Sequence, residues 1–334
     1  MAVYFSTFIS GLQNYIEEIL PKNFKKVKVL KLMDGAILYE TDESSEDIRF
    51  FNNTFLVINT FDIDDIDIII KSSNPNVKEV VDYIKSQDGR SFHIFTSREN
   101  QLISVDKRIL SQLENKISKL TKLKLNIEKK PSDFEFWILT RSEGISLFML
   151  RISKNKKKLE KGELRLELVN VMCQLSNMTE EDVCLDPFCG SGAILLERSR
   201  IANFKGLFNC DTNEENYLRL KNYIKKLDNK KLNKSFFVKN INFFDNNFDD
   251  KFFDKIITDP PWGYYEQIDN IQLFYNNMLK EFSRILKSNG IAVVLTANKE
   301  ELEKAAKEFG FAIKNRFDIL VSGKKACIYS LVLR

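Results

Sequence analysis

Histidine is almost absent from this chain: one residue, His93, in 334. Cysteine is scarce and odd in number, with Cys173, Cys184, Cys189, Cys210 and Cys327 and no Cys-x-x-Cys pair. Such a set argues against a zinc cluster and against a disulfide framework. No apolar run approaches the ~18 residues of a membrane span. The start, Met1-Ala2-Val3-Tyr4-Phe5, has no charged region leading into a long apolar stretch, so no signal peptide is expected. There is no internal repeat and no low-complexity linker. These absences lead us to expect a reduced, cytoplasmic protein with neither a membrane nor a metal as partner.

What is present is apolar and aromatic. Hydrophobic residues make up 43% of the chain, and 27 are phenylalanine. That is a globular composition with material for large cores. The length suits two or three domains. Net charge is only +4, but it is unevenly spread. Residues 1–100 hold 11 Lys/Arg against 16 Asp/Glu, and residues 101–159 hold 14 against 6. The basic middle segment is where a polyanion contact is sought. Its bland alternative is a set of solvated helix faces.

The first part reads as small α+β units. Val3, Phe5, Thr7 and Ile9 alternate as a strand. Leu12, Tyr15, Ile16, Ile19 and Leu20 make a helix face that Pro21 ends. Strand-like runs follow at 26–32, 35–40 and 54–61. A second unit starts near residue 66, with a helical stripe of Val77, Val80, Val81 and Ile84 and a strand at 91–96. A longer stripe runs from Val105 to Leu120, and a hairpin is expected at 134–140 and 145–152. The acidic run Asp62, Asp64, Asp65, Asp67 reads as a solvated loop, with cation binding as the lesser alternative. A lysine-rich connector then carries Lys154, Lys156, Lys157 and Lys158, each able to reach a phosphate.

From 163 the pattern becomes strand–helix alternation, which predicts a parallel sheet with crossover helices. Strands are expected at 183–186, 206–210, 235–239, 254–258 and 291–296, and helices at 164–176, 193–202, 213–227, 270–287 and 299–309. Two final strand-like runs, 311–321 and 325–333, meet at Gly323.

Three elements of this half carry chemistry. Asp186-Pro187-Phe188-Cys189-Gly190-Ser191-Gly192 ends the first strand and opens a helix. Ligands of open α/β sheets bind at that position. It is neither a full GxGxxG nor a P-loop. Asp211 follows the second strand, where a carboxylate can accept both ribose hydroxyls of an adenosine; its alternative role is a helix N-cap. Thr258-Asp259-Pro260-Pro261-Trp262-Gly263 follows the fourth strand. Two prolines stiffen this loop, holding an acid, a free carbonyl and an aromatic ring together. Asp259 and the Pro260 carbonyl can accept the two N–H bonds of an exocyclic amine, and Trp262 offers a stacking face. Cys189 lies in the first loop rather than beside Asp259, so it reads as packing and not as the nucleophile of a C5 methylation.

The pair DPFCGSG and DPPWG resembles the class I S-adenosylmethionine-dependent methyltransferases that modify exocyclic amines, over residues 163–334. Gly162-Glu163-Leu164-Arg165 resembles the entry to their RNA-methylating branch. Residues 66–153 resemble a THUMP domain and 1–65 the ferredoxin-like unit before it, through YFSTFISGLQNYIEEIL, SFHIFTSREN and KKPSDFEFWIL. The whole chain is similar to the THUMP-containing tRNA guanine-N2 methyltransferases. The resemblance implies a Rossmann-like, mostly parallel seven-stranded sheet after the two α+β units, with 154–162 as basic connector. It implies that Asp186, Phe188, Cys189, Gly190 and Gly192 form the loop around the methionine end of S-adenosyl-L-methionine. Asp211 would hold the ribose, and Asp259, Pro260 and Trp262 the target base. The family often has an aspartate after the third strand for the adenine amine; the aligned residue here is Asn240. The implied substrate is tRNA, at a guanosine of the acceptor-stem region with position 6 favoured, and the implied chemistry is direct transfer without a metal. Alternatives are an rRNA guanine-N2, a DNA adenine-N6 or cytosine-N4, or a release-factor glutamine methyltransferase, and an RNA-binding protein with an inactive domain.

Overall fold

The computed structural model describes residues 1–126, 131–153, 159, 163–227, 234–264 and 267–334. The chain divides into two compact units, Met1–Phe8 with Gln13–Lys156 and Ile9–Leu12 with Lys157–Arg334.

The first unit is built on one nine-stranded sheet. Its strands are β1 (Ala2–Thr7), β2 (Val27–Met33), β3 (Ala36–Thr41), β4 (Asn53–Phe61), β5 (Ser91–Arg98), β6 (Gln101–Leu102), β7 (Lys124–Leu125), β8 (Phe134–Arg141) and β9 (Ile145–Arg151). The order is β2-β3-β1-β4-β9-β8-β5-β6, with β7 on β5. Strand β4 pairs antiparallel with β9, so residues 1–65 and 66–153 both feed this sheet. The β8–β9 hairpin turns through Gly144, whose φ of 71° suits glycine. Phe5, Phe55, Leu139 and Met149 pack one face.

Among the described residues the sheet is accompanied by helices α1 (Gln13–Ile19), α2 (Ile66–Ser72), α3 (Lys78–Ser86) and α4 (Lys107–Thr121). Helix α2 was not expected. The acidic run before it supplies its cap, since Oδ1 of Asp65 accepts the amides of Asp67 at 2.9 Å and Ile68 at 3.1 Å. Helix α4 buries Leu113 and Ile117 and is capped by Asp106, which accepts the Arg108 amide at 2.8 Å. Lys107, Arg108, Lys116 and Lys119 lie exposed along it, and Lys122 and Lys124 just beyond.

The second unit has a seven-stranded sheet: β10 (Val183–Asp186), β11 (Gly206–Asp211), β12 (Phe236–Asn240), β13 (Phe253–Thr258), β14 (Leu286–Thr296), β15 (Phe311–Val321) and β16 (Lys324–Leu333). The order is β12-β11-β10-β13-β14-β16-β15. Strands β10 to β14 run parallel and β16 enters antiparallel between β14 and β15. The order reverses between β10 and β13, which opens a crevice at the C-terminal ends of those strands. Helices α5 (Leu166–Leu175), α6 (Ala193–Ile201), α7 (Glu214–Lys226), α8 (Ile271–Ile285) and α9 (Lys299–Glu308) provide the crossovers and layers. Leu185, Ile256, Phe282, Val294 and Tyr329 are among the side chains of the main core.

Strand β14 starts five residues before the expected 291. Leu286 is fully buried opposite Phe253, and the register shifts before Lys255 meets Ile291. The Ser288-Asn289-Gly290 stretch, just past the helix expected at 270–287, is the irregular part of this pairing. Burial of Leu286 in the sheet overrides the local turn composition.

Candidate functional site

Three aspartates lie at the C-terminal ends of the central strands. Asp186 closes β10, Asp211 closes β11, and Asp259 follows β13. All three line one cavity of about 350 Å³, together with Phe188, Cys189, Gly190, Asn242 and Phe244. That volume lies in the range of small-molecule sites.

The loop after β10 is tied to β11 at two points. The Cys189 amide donates to the Cys210 carbonyl at 2.9 Å, and the Gly190 amide donates to Oδ2 of Asp211 at 2.7 Å. The other Asp211 oxygen accepts the Asn213 amide at 2.8 Å. Asn213, not Asp211, is the N-cap of α7, through a 3.1 Å bond from the Asn216 amide. The Asp211 carboxylate is thus held by backbone donors, and each oxygen keeps lone-pair capacity for a hydroxyl at the cavity.

The two glycines have different reasons. Gly190 has φ of 49°, and a Cβ there would meet nothing within 4 Å, so its position borders open cavity space. Gly192 has φ of 77°, and a Cβ would lie 2.6 Å from the Leu220 side chain. One leaves room for a ligand; the other lets α6 and α7 approach.

Asp186 is fully buried. Its Oδ1 accepts the Thr258 hydroxyl at 2.8 Å and the Phe188 amide at 3.3 Å, while Oδ2 is withdrawn from solvent with no partner among the described residues. Burial pushes its carboxyl up to about 7; the Thr258 and Phe188 donors oppose the rise, and the Asp211 charge adds to it. Asp259 is half-buried as a residue, but its Oδ1 is fully withdrawn and has no partner among the described residues. Burial pushes this carboxyl up to about 8, with a smaller push from Asp186. The Trp262 indole N–H, close but outside hydrogen-bond geometry, works against that rise.

The loop after Asp259 has Pro260 buried and Pro261 on the cavity wall. The Trp262 carbonyl accepts the Asn298 side-chain amide at 3.2 Å, which anchors the loop to the start of α9. The Trp262 ring is half-buried and meets Tyr264 edge-on at 6.2 Å. Phe188 packs against Phe243 at 5.7 Å and Phe274 at 5.6 Å, giving the cavity an aromatic wall suited to a planar ring. Cys189 is buried, and burial raises its thiol strongly, so no thiolate is offered.

Asn240 is placed differently from the expectation. It is exposed, its side-chain amide donates to the Asp211 carbonyl at 2.9 Å, and it does not line the cavity. Asn242, two residues on, does. Its Oδ1 caps the short turn at 243–245 by accepting the Phe244 amide at 3.1 Å. The sequence signal was present in the Asn-Phe-Phe run beyond the strand end. Asn240 is the last residue of the β11–β12 ladder, opposite Asp211, and its side-chain amide is committed to the Asp211 carbonyl. Lys154, Lys156, Lys157 and Lys158 lie outside the described residues.

The strand order, the loop after β10 and the acid at the end of β11 define a class I methyltransferase. A family model described as the RMKL-like methyltransferase domain, UPF0020, matches residues 154–326, and the chain belongs to that family. A tRNA (guanine(10)-N2)-dimethyltransferase of Methanocaldococcus jannaschii is 27% identical over 273 residues, covering 72% of this chain and 73% of that protein. A probable enzyme of the same name from Methanothermococcus thermolithotrophicus is 30% identical over 152 residues, covering 41% of this chain and 83% of that protein. Among solved structures, TrmN from Thermus thermophilus matches with a TM-score of 0.77 at 15% identity, covering 100% of both chains. That last likeness is one of fold.

Proposed function

We propose that the chain transfers a methyl group from S-adenosyl-L-methionine to the exocyclic N2 of a tRNA guanosine. The observation that carries this is the placement of Asp259. Its unpartnered, water-excluded Oδ1 sits on a proline-stiffened loop at the cavity that Asp186 and Asp211 also line. The names of the two curated relatives support the substrate class.

The cavity fits the cofactor. Asp186 Oδ2 is a buried acceptor in need of a donor, Gly190 borders open space, Asp211 presents a ribose acceptor, and Phe188 and Phe244 supply a ring wall. Bound there, S-adenosylmethionine supplies a methyl group on a sulfonium. The protein's part is positioning, which can be worth ~7–11 kcal/mol. Asp259 and the Pro260 carbonyl accept the two amine hydrogens and aim the nitrogen. Trp262 stacks on the base, which must leave its helix to enter. Asp259 then holds the proton that becomes acidic once nitrogen carries the methyl group. We assign the adenine-amine acceptor to Asn242 in place of Asn240.

For the RNA we assign residues 66–153, with the ferredoxin-like residues 1–65 before them, as the THUMP-like binding part. The exposed lysines on and after α4 join the connector residues Lys154, Lys156, Lys157 and Lys158 as phosphate contacts. A cytoplasmic protein acting on tRNA fits this reading. Position 6 is the target we favour, and position 10 is the second reading, because both curated relatives carry it in their names.

The test is mass-spectrometric nucleoside mapping of tRNA after incubation with the full chain and labelled cofactor. N2-methylguanosine at position 6 or 10 supports the reading and chooses between them. Label confined to rRNA, DNA or a protein glutamine overturns it.

A further inference from the structure

Thr258 ends β13, is fully buried, and has been given no role toward a ligand so far. Its hydroxyl reaches across the sheet to the neighbouring strand β10 and donates to Oδ1 of Asp186 at 2.8 Å. The other protein donor to that oxygen is the Phe188 amide at 3.3 Å, a long bond. A carboxyl held at one oxygen has its second oxygen fixed in space. Here that second oxygen, Oδ2, is shut off from solvent and has no partner among the described residues, in a residue that lines the cavity. An unsatisfied buried carboxylate oxygen is costly unless a ligand donor meets it.

We propose that Thr258 is a positioning residue: by clamping Oδ1 of Asp186 it fixes the place of Oδ2 beside the cavity as the acceptor for the α-ammonium of the cofactor's amino-acid end. This rests on the cofactor reading above. The strand that delivers Asp259 to the base thereby also orients the acid that receives the cofactor. A valine matches threonine in shape but has no donor. It leaves Asp186 free to rotate and to bond elsewhere, so the ammonium loses its aimed partner. The nucleoside end, held by Asp211 and the aromatic wall, does not depend on this clamp.

Two ligands separate the ends. S-adenosylhomocysteine carries the ammonium; 5′-methylthioadenosine keeps the nucleoside and thioether and lacks the amino-acid part. Calorimetry on the full chain should show Thr258→Val weakening S-adenosylhomocysteine by about tenfold or more, the scale of a lost hydrogen bond to a charged group. Methylthioadenosine affinity should be unchanged, and Thr258→Ser, which restores the hydroxyl, should recover most of the loss. Equal weakening of both ligands would show a packing role and overturn the proposal, as would no weakening of either. Wild-type protein that binds neither ligand overturns the cofactor reading and the clamp with it. Wild-type binding of both, with no selective loss in Thr258→Val, overturns the clamp alone.

Discussion

Oδ2 of Asp211 accepts the backbone amide of Gly190 at 2.7 Å, which joins the end of β11 to the loop that follows β10. The residue suited to the ribose therefore also shapes the loop suited to the methionine end. Asp211→Ala should remove both effects. Calorimetry with S-adenosylhomocysteine should show a loss of about tenfold or more, and Asp211→Asn should fall between the two. Unaltered affinity in Asp211→Ala would remove Asp211 from the cofactor site.

The glycines of the same loop should differ in what their loss costs. Gly192→Ala forces a Cβ to within 2.6 Å of Leu220 at a φ of 77°. Denaturant unfolding should show destabilisation of about 1–3 kcal/mol. Gly190→Ala meets no neighbour within 4 Å, so its penalty is the strain of φ near 49° plus a methyl group in the ligand space. It should lower cofactor affinity more than stability. The reverse ranking would mean that the loop does not face a ligand.

The buried acids make a pH prediction with a definite sign. Asp186 and Asp259 are raised to about 7 and about 8, against ~3.9 for an unfolded aspartate. Between those limits the unfolded chain binds fewer protons than the native one, so stability falls as pH rises from about 4 towards 8. Asp186→Asn removes its share. Its melting temperature should match wild type near pH 4 and exceed it near pH 8. A melting temperature below wild type near pH 8 would contradict the burial account. Turnover should run the other way. Asp259 accepts best as a carboxylate, so kcat/KM should rise to a plateau above about pH 8, and Asp259→Asn should lose that limb.

Much of this was legible in the sequence, for physical reasons. The Val183–Leu185 run of β10 and the Ile291–Leu295 run of β14 are apolar, and the loops after β10 and β13 carry glycines and prolines that restrict the backbone in recognisable ways. What was not legible depended on tertiary pairing. Strand β14 begins at Leu286 because that side chain packs opposite Phe253, a partner 33 residues away. Helix α2 was hidden because Asp65 reads as loop until its amide partners are seen. Asn240 is the last residue of the β11–β12 ladder and Asn242 lies just past its end, a boundary that sequence spacing does not reveal. The Thr258–Asp186 bond joins residues that neighbour each other only across the sheet.

Charge placement predicts how the RNA is held. Changing Lys154, Lys156, Lys157 and Lys158 to serine should weaken tRNA binding for every target sequence. The slope of log affinity against log salt should become shallower by about 0.7–0.9 per lost phosphate contact. Replacing Lys119, Lys122 and Lys124, which are exposed on and after α4, should do the same. Cofactor affinity should not move in either variant. Equal salt slopes in wild type and variants would take these lysines out of the RNA contact.

The central claim is that Asp259 aligns an exocyclic amine for direct methyl transfer. Single-turnover methyl transfer to tRNA by Asp259→Ala, with cofactor and tRNA binding measured on the same protein, tests it most directly. The account predicts that transfer slows by about two orders of magnitude or more while both affinities stay within about threefold of wild type. Transfer at a near-normal rate, or a loss explained by weakened cofactor binding, would contradict it.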